Sequence, residues 1–196
     1  MVATEQQDLA SKIVLALERL GQLQRQSLWQ IAVEKELSPI QAQILIFIGS
    51  HDRSLATVTY LAREFAVTKA TVSDAVATLV RKGLLVKTAH AEDRRIEVLS
   101  LTATGKRTFN AIADYQQPTV DTVRELTEAQ RSQLWSSLST LIHRLQTQDL
   151  AVAQRMCYTC AFFRPSSRRP YCRLLEVALS PSDIRLDCPE HETADV

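Results

Sequence analysis

Residues 57–85, TVTYLAREFAVTKATVSDAVATLVRKGLL, decide the fold. Thr57 can cap a short helix of about 57–65. Ala66-Val67 is a tight connection, and Thr68 can cap a second helix of about 68–82 with Val72, Val76, Leu79 and Val80 on its inner face. Gly83 stands where a helix ends in a left-handed residue. Two branched-residue runs, Leu84–Ala89 and Arg95–Leu101, then read as strands joined by a polar hairpin loop, 90–94. Short helix, turn, second helix and hairpin is the order of a winged helix-turn-helix.

Working outward, 5–36 reads as one long helix with Leu9, Ile13, Leu17 and Leu20 on one face. Ser38-Pro39-Ile40-Gln41 is a capping box opening a buried helix of about 39–50. Thr102 can cap a helix of about 102–123, which Pro118 should kink or break near Gln117. Thr127 with Gln130 opens a helix of about 127–150. Its stripe of Leu134, Leu138, Leu141 and Leu145 should pack on a neighbouring helix, in this chain or in a second subunit. The expected class is mainly α (α+β). Residues 1–150 form the winged-helix and dimerisation domain, and 151–196 a cysteine-rich metal-binding appendage.

The charge of +1 over 196 residues is a sum of unlike parts. Residues 51–110 hold 10 basic and 6 acidic side chains, and 111–150 hold 3 and 5. A basic middle suits an anionic partner. The second predicted helix is narrow enough for a major groove, and its first half carries Thr68, Lys69, Thr71, Ser73 and Asp74. Arg94 and Arg95 of the loop can enter an adjacent minor groove.

Residues 57–85, together with AEDRRIEVLSLTATGKR at 91–107, resemble the MarR family of bacterial regulators. The second stretch matches the family's wing pattern at Asp93, Arg95, Leu101, Thr102 and Gly105. The resemblance spans about 8–148. It implies a cytoplasmic homodimer that binds double-stranded DNA at a pseudo-palindromic operator, with Arg95 as the wing-tip contact and Asp93 orienting it. It also implies a pocket for a small-molecule effector, for which Trp29, Phe47, Phe109 and Tyr115 are the candidate walls. Asp74 stands where that family often has a basic residue. It could accept from cytosine N4 or be a solvated helix residue.

The resemblance does not reach Cys157-x-x-Cys160, Cys172 and Cys188. With no signal-like N-terminus the expected compartment is reducing, so structural disulfides are not expected. Four thiolates around zinc would staple a short segment. A lone Cys-x-x-Cys, with the last cysteine followed by Pro189, equally suits an iron–sulfur cluster. Tyr158, Phe162, Phe163, Tyr171, Leu174, Leu175 and Leu179 are the expected mini-core, with a short helix around 172–179.

The sequence carries no paired-carboxylate, Ser/His/Asp or glycine-rich phosphate pattern, so no enzyme is expected. No apolar run is long enough to span a bilayer, and no membrane partner is expected. Metal, redox state or a small ligand are the candidate signals. The alternative function is a winged-helix protein–protein interaction module with a structural metal site.

Overall fold

The computed structural model describes residues 8–89, 95–148, 155–166 and 169–194. The helices are α1 (Leu9–Glu34), α2 (Pro39–Ser50), α3 (Val58–Glu64), α4 (Lys69–Arg81), α5 (Ala103–Ile112), α6 (Gln117–Arg124) and α7 (Glu128–Thr147). The strands are β1 (Leu85–Ala89), β2 (Glu97–Leu101), β3 (Phe163–Arg164), β4 (Tyr171–Cys172) and β5 (Val177–Ala178). β1 and β2 pair antiparallel with Leu85 opposite Leu101, and β3-β4-β5 form a second antiparallel sheet. Among the described residues no helix is long and apolar enough to cross a membrane.

Packing divides the chain into two units. One holds the described residues of Met1–Thr57 with Val72–Thr119, the other Val58–Thr71 with those of Val120–Val196. In the first unit α1 runs unbroken through Gly21, because a helix interior tolerates glycine at a modest cost. The capping box of Ser38 and Gln41 opens α2, whose Ala42, Ile44, Leu45 and Phe47 are buried. They join Leu28, Ala32, Val72, Val76, Leu79, Leu85, Leu99 and Ile112 in the core. The expected inner face of α4 needs one correction. Val80 is 37% exposed, and Ala75 takes its place.

One joint fixes the wing. Gly83 ends α4 at φ +69°. The Thr102 hydroxyl donates to the Gly83 carbonyl (2.7 Å), its N–H donates to the Leu84 carbonyl (3.1 Å), and its oxygen caps α5 by accepting from Gly105 N–H (2.9 Å). Gly105 lies so close to Leu84 that a Cβ there would overlap the Leu84 carbonyl. The spacing Leu101-Thr102-x-x-Gly105 is therefore a backbone-to-backbone contact written in sequence.

The expected helix of 102–123 breaks earlier than Gln117. A tight turn over Ala113–Gln116, with Asp114 at φ −88° and ψ 18°, separates α5 from α6. Pro118 sits in the first turn of α6 and has no N–H to offer the Asp114 carbonyl four residues back, so the ladder opens there.

In the second unit Thr127 and Gln130 form the expected capping box of α7. The helix buries Ser139 and Gln146, while Leu134 (42%) and Leu145 (38%) stay exposed. The cysteine segment is a small sheet, and the helix expected at 172–179 is a hairpin of β4 and β5. Glu176 takes φ 55° in its turn, a conformation a continuing right-handed helix excludes. The mini-core is also smaller than expected. Met156, Leu179 and Ile184 are buried, while Tyr171 is exposed on β4 and Leu174 and Leu175 are exposed on the turn between β4 and β5. Tyr158 stacks on His143 of α7 (ring centroids 4.3 Å), with Phe163 edge-on at 5.5 Å. Trp135 Nε1 donates to the Pro181 carbonyl (2.9 Å), a second tie between α7 and this segment.

Gly105→Ala should destabilise the protein by about 2–3 kcal/mol through the backbone overlap. Gly21→Ala should stabilise it by about 0.5–1 kcal/mol, since its Cβ would meet only the end of the Arg25 side chain at 3.4 Å. Urea midpoints of the two variants check both signs.

Candidate nucleic-acid interface and cysteine cluster

The turn between α3 and α4 is held by Val67 N–H on the Ala62 carbonyl (3.0 Å) and Ala66 N–H on the Arg63 carbonyl (3.2 Å). Ala66 takes φ 51°, a left-handed conformation that costs a non-glycine residue about 1–2 kcal/mol. The turn is tight enough to demand it.

Thr68 then caps α4 by accepting from Thr71 N–H (3.1 Å), and the two hydroxyls bond to each other at 2.9 Å. Both hydroxyls therefore have structural work. Lys69, Thr71, Ser73 and Asp74 are all exposed on the first half of the helix. Lys69, Ser73 and Ala77 recur every four residues, a single exposed stripe that ends at Arg81. Short side chains along such a stripe let a helix backbone approach a groove floor.

In the wing, Lys87 pairs with Glu97 (2.8 Å) across β1 and β2. Arg53, which the sequence did not single out, donates to Thr88 Oγ1 (2.8 Å), and the Thr88 hydroxyl donates to the Val98 carbonyl (3.3 Å). Arg95 is exposed at the far end of β2. Asp93 and Arg94 lie outside the described residues.

The four aromatic residues expected to wall a pocket have different settings. Phe47 is buried and stacks on His51 at 4.0 Å. Tyr115 is half-buried, and burial raises its pKa while its hydroxyl accepts from Gln116 Nε2. Trp29 is 56% exposed. Phe109 packs its ring against Gly49 and lines a cleft of about 400 Å3 shared with His51, Arg53, Leu99 and Lys106. Trp29, Phe47 and Tyr115 do not line it.

All four cysteines are free thiols, each half-buried. Among the described residues no three His, Cys, Asp or Glu side chains form a group that could hold a metal ion. The backbone nonetheless ties their segments together. Cys157 N–H donates to the Arg185 carbonyl (2.9 Å), Phe163 N–H to the Cys160 carbonyl (3.0 Å) and Cys188 N–H to the Arg155 carbonyl (2.7 Å). Phe163 pairs with Cys172, and Cys160 bridges to Thr193.

Two sulfurs meet one residue. Cys157 Sγ accepts from Arg185 N–H (3.2 Å), and Cys188 Sγ lies 3.9 Å from the Arg185 guanidinium. Burial pushes the Cys188 thiol up, and the thiol donates to Glu190 Oε2 (3.4 Å). His191 shares a hydrogen bond with the Thr159 hydroxyl (3.0 Å), and burial lowers its pKa.

The arginines near the thiols in sequence mostly serve elsewhere. Arg164 donates to the Ala161 and Phe163 carbonyls, Arg168 lies outside the described residues, and Arg155 is buried with other partners. The Arg155 guanidinium donates through Nε to Asp187 Oδ1 (2.9 Å), again through Nη2 to the same oxygen, and through Nη1 to the Tyr60 hydroxyl (3.1 Å). Burial acts against its charge, but the Asp187 hydrogen bonds and charge outweigh it and raise its pKa. Tyr60 and Arg155 are 95 residues apart, so no local pattern marks the pair.

Residues 35–96 match the model of the MarR family. No curated protein matches the chain. The fold is similar to that of Staphylococcus aureus MepR in its DNA-binding conformation (TM-score 0.59, 22% identity, 68% of this chain and 98% of that one). It is likewise similar to a MepR–DNA complex (TM-score 0.58, 22% identity, 67% and 97%). A third similar structure is the transcriptional regulator BldR from Sulfolobus solfataricus (TM-score 0.52, 20% identity, 70% and 99%). Residues 35–96 are thus similar to the MarR family, on a winged-helix fold.

Proposed function

We propose that this protein is a DNA-binding transcriptional regulator that acts as a homodimer on a pseudo-palindromic operator. The observation that carries the reading is the exposed first half of α4, followed by a wing clasped to the end of that helix by Thr102 and Gly105. In this reading α4 enters a major groove with Lys69, Thr71, Ser73 and Asp74, and the wing carries Arg95 to the neighbouring minor groove. MepR, similar in fold, has been crystallised with DNA. Exposed apolar side chains on α1 (Leu9, Ile13, Leu20, Leu23) and on α7 (Leu134, Leu145) support burial by a second copy. Asp74, exposed on the reading helix, favours the protein–protein interaction module as the second reading.

Within residues 151–196, Cys157, Cys160, Cys172 and Cys188 would hold zinc, or alternatively an iron–sulfur cluster. The donor chemistry supports this, since four free thiols sit on segments joined by backbone hydrogen bonds, one of them, Cys172, in the small sheet. The bound group would supply sulfur–metal bonds that cross-link the segment. A small ligand in the Phe109 cleft remains a candidate effector for the regulator.

Fluorescence anisotropy with a pool of pseudo-palindromic duplexes tests the DNA reading. Two chains should bind per duplex, and Arg95→Ala should weaken binding by about 10–100-fold, as loss of one good groove contact does. Unchanged affinity in Arg95→Ala, or no duplex binding at low salt, would favour the interaction module. Metal analysis with an absorption spectrum of anaerobically purified protein tests the cysteine reading. One zinc per chain and no visible absorbance is the expected result. Broad visible absorbance means an iron–sulfur cluster, and thiols without metal overturn both.

A further inference from the structure

One cavity serves neither α4 nor the wing. It measures about 520 Å3 and lies wholly within the second unit, where Ser136 of α7 faces the C-terminal segment. Small-molecule pockets commonly run to about 300–1,000 Å3, with an apolar lining and a few convergent polar groups. The apolar side here is Tyr158, Leu179 and Ile184, the last two buried. The stack on His143 holds the Tyr158 ring in place. Leu179 N–H donates to the Pro170 carbonyl (2.7 Å), next to the pair of Tyr171 and Ala178. Continuing that antiparallel register sets Arg169 across from Ser180. Trp135 on the Pro181 carbonyl fastens the same end to α7.

The polar groups of this cavity have bonding capacity left over. Asp183 accepts from the Ser180 N–H (2.8 Å) and hydroxyl (2.6 Å) through Oδ2 alone, which leaves Oδ1. The Ser180 hydroxyl and N–H hold its carboxyl below the usual carboxylate range, so it is ionised at neutral pH. Among the described residues the Arg169 guanidinium and the Ser136 hydroxyl make no hydrogen bond or ion pair. Arg169 and Asp183 thus line one cavity with opposite charges and do not pair with each other.

We propose that this cavity binds a free amino acid with an apolar side chain. Its carboxylate would meet Arg169, whose fork of donors suits two oxygens at once. Its ammonium would donate to Asp183 Oδ1 and the Ser136 hydroxyl, and its side chain would lie on Tyr158, Leu179 and Ile184. A simple carboxylic acid would leave Asp183 unmatched, and a simple amine would leave Arg169 unmatched. A zwitterion answers both. Its apolar part would also add contact to a segment with few buried side chains of its own. The site draws on neither the thiols nor a duplex, so it stands apart from the metal and DNA readings.

The test is isothermal titration calorimetry of the full-length reduced protein with L-leucine, L-isoleucine, L-methionine, L-phenylalanine and L-tryptophan. The tightest of these is then compared with its carboxamide, which lacks the carboxylate, and its N-acetyl form, which lacks the ammonium. Each derivative should bind at least about tenfold more weakly, as loss of a charged hydrogen bond implies. Arg169→Gln should weaken the amino acid by about 10–100-fold and bind it no better than the carboxamide. Asp183→Asn keeps an acceptor for Ser180, yet should weaken the amino acid by about tenfold and no longer reject the N-acetyl form. Both positions are exposed, and hydrogen exchange at 178–184 of the ligand-free variants should match the native protein. Added amino acid should slow that exchange in the native protein and not in the variants. Failure of all five amino acids to bind at millimolar concentration overturns the proposal. Binding that both variants leave unchanged lies elsewhere and overturns it as well. Equal affinity for the N-acetyl form in the native protein refutes the zwitterion as the ligand class.

Discussion

The wing depends on one close approach, Gly105 against the Leu84 carbonyl. A side chain at 105 would push α5 away from the end of α4. With only hydrogen there, Thr102 reaches both the Gly83 and Leu84 carbonyls and caps α5 with the same hydroxyl. Gly83 at positive φ ends α4 and aims the chain into β1. Helix end, strand start and next helix are thus locked within a few residues. The paired strands that follow, Leu85 opposite Leu101, inherit that alignment and place Arg95 at the far end of the hairpin from the clasp. A winged helix needs such a joint, because two strands alone are marginally stable in water.

Within the second unit the cysteine segment, from residue 155, is organised by different forces. Its sheet strands are two residues long, and its buried apolar side chains are few, chiefly Met156, Leu179 and Ile184. Aromatic stacking of His143, Tyr158 and Phe163 and the Trp135 hydrogen bond fasten it to α7. A segment with so little core is sensitive to any added cross-link, and its free thiols stand on one turn (Cys157, Cys160), one strand (Cys172) and one loop (Cys188). Arg155, buried between Asp187 and Tyr60, ties that segment to α3, the short helix before α4.

Features set by local chemistry were legible in sequence. The capping boxes at Ser38 and Thr127, the Thr68 cap, the Gly83 stop and the two wing strands stand where their residues implied. These depend on contacts within a few residues. The errors fall where distant contacts decide. The 172–179 stretch is a hairpin because β4 pairs with both β3 and β5, and the apolar residues read as a mini-core include several that face outward. The break before Pro118 is the local exception, falling at Ala113–Gln116 because proline acts on the carbonyl four residues back. Of the candidate site, the polar first half of α4 was readable from its residue types. Arg53 on Thr88 and Arg155 on Tyr60 were not, since each pair joins residues 35 or 95 apart.

In the proposed function the exposed face of α4 and the wing meet a polyanionic duplex. The salt dependence of duplex affinity addresses it most directly, because each neutralised phosphate releases counterions. The logarithm of the association constant should fall linearly with the logarithm of salt concentration, with a slope of about −0.9 per phosphate contacted. A dimer contacting several phosphates per subunit predicts a slope steeper than about −4. A slope near zero would contradict the account.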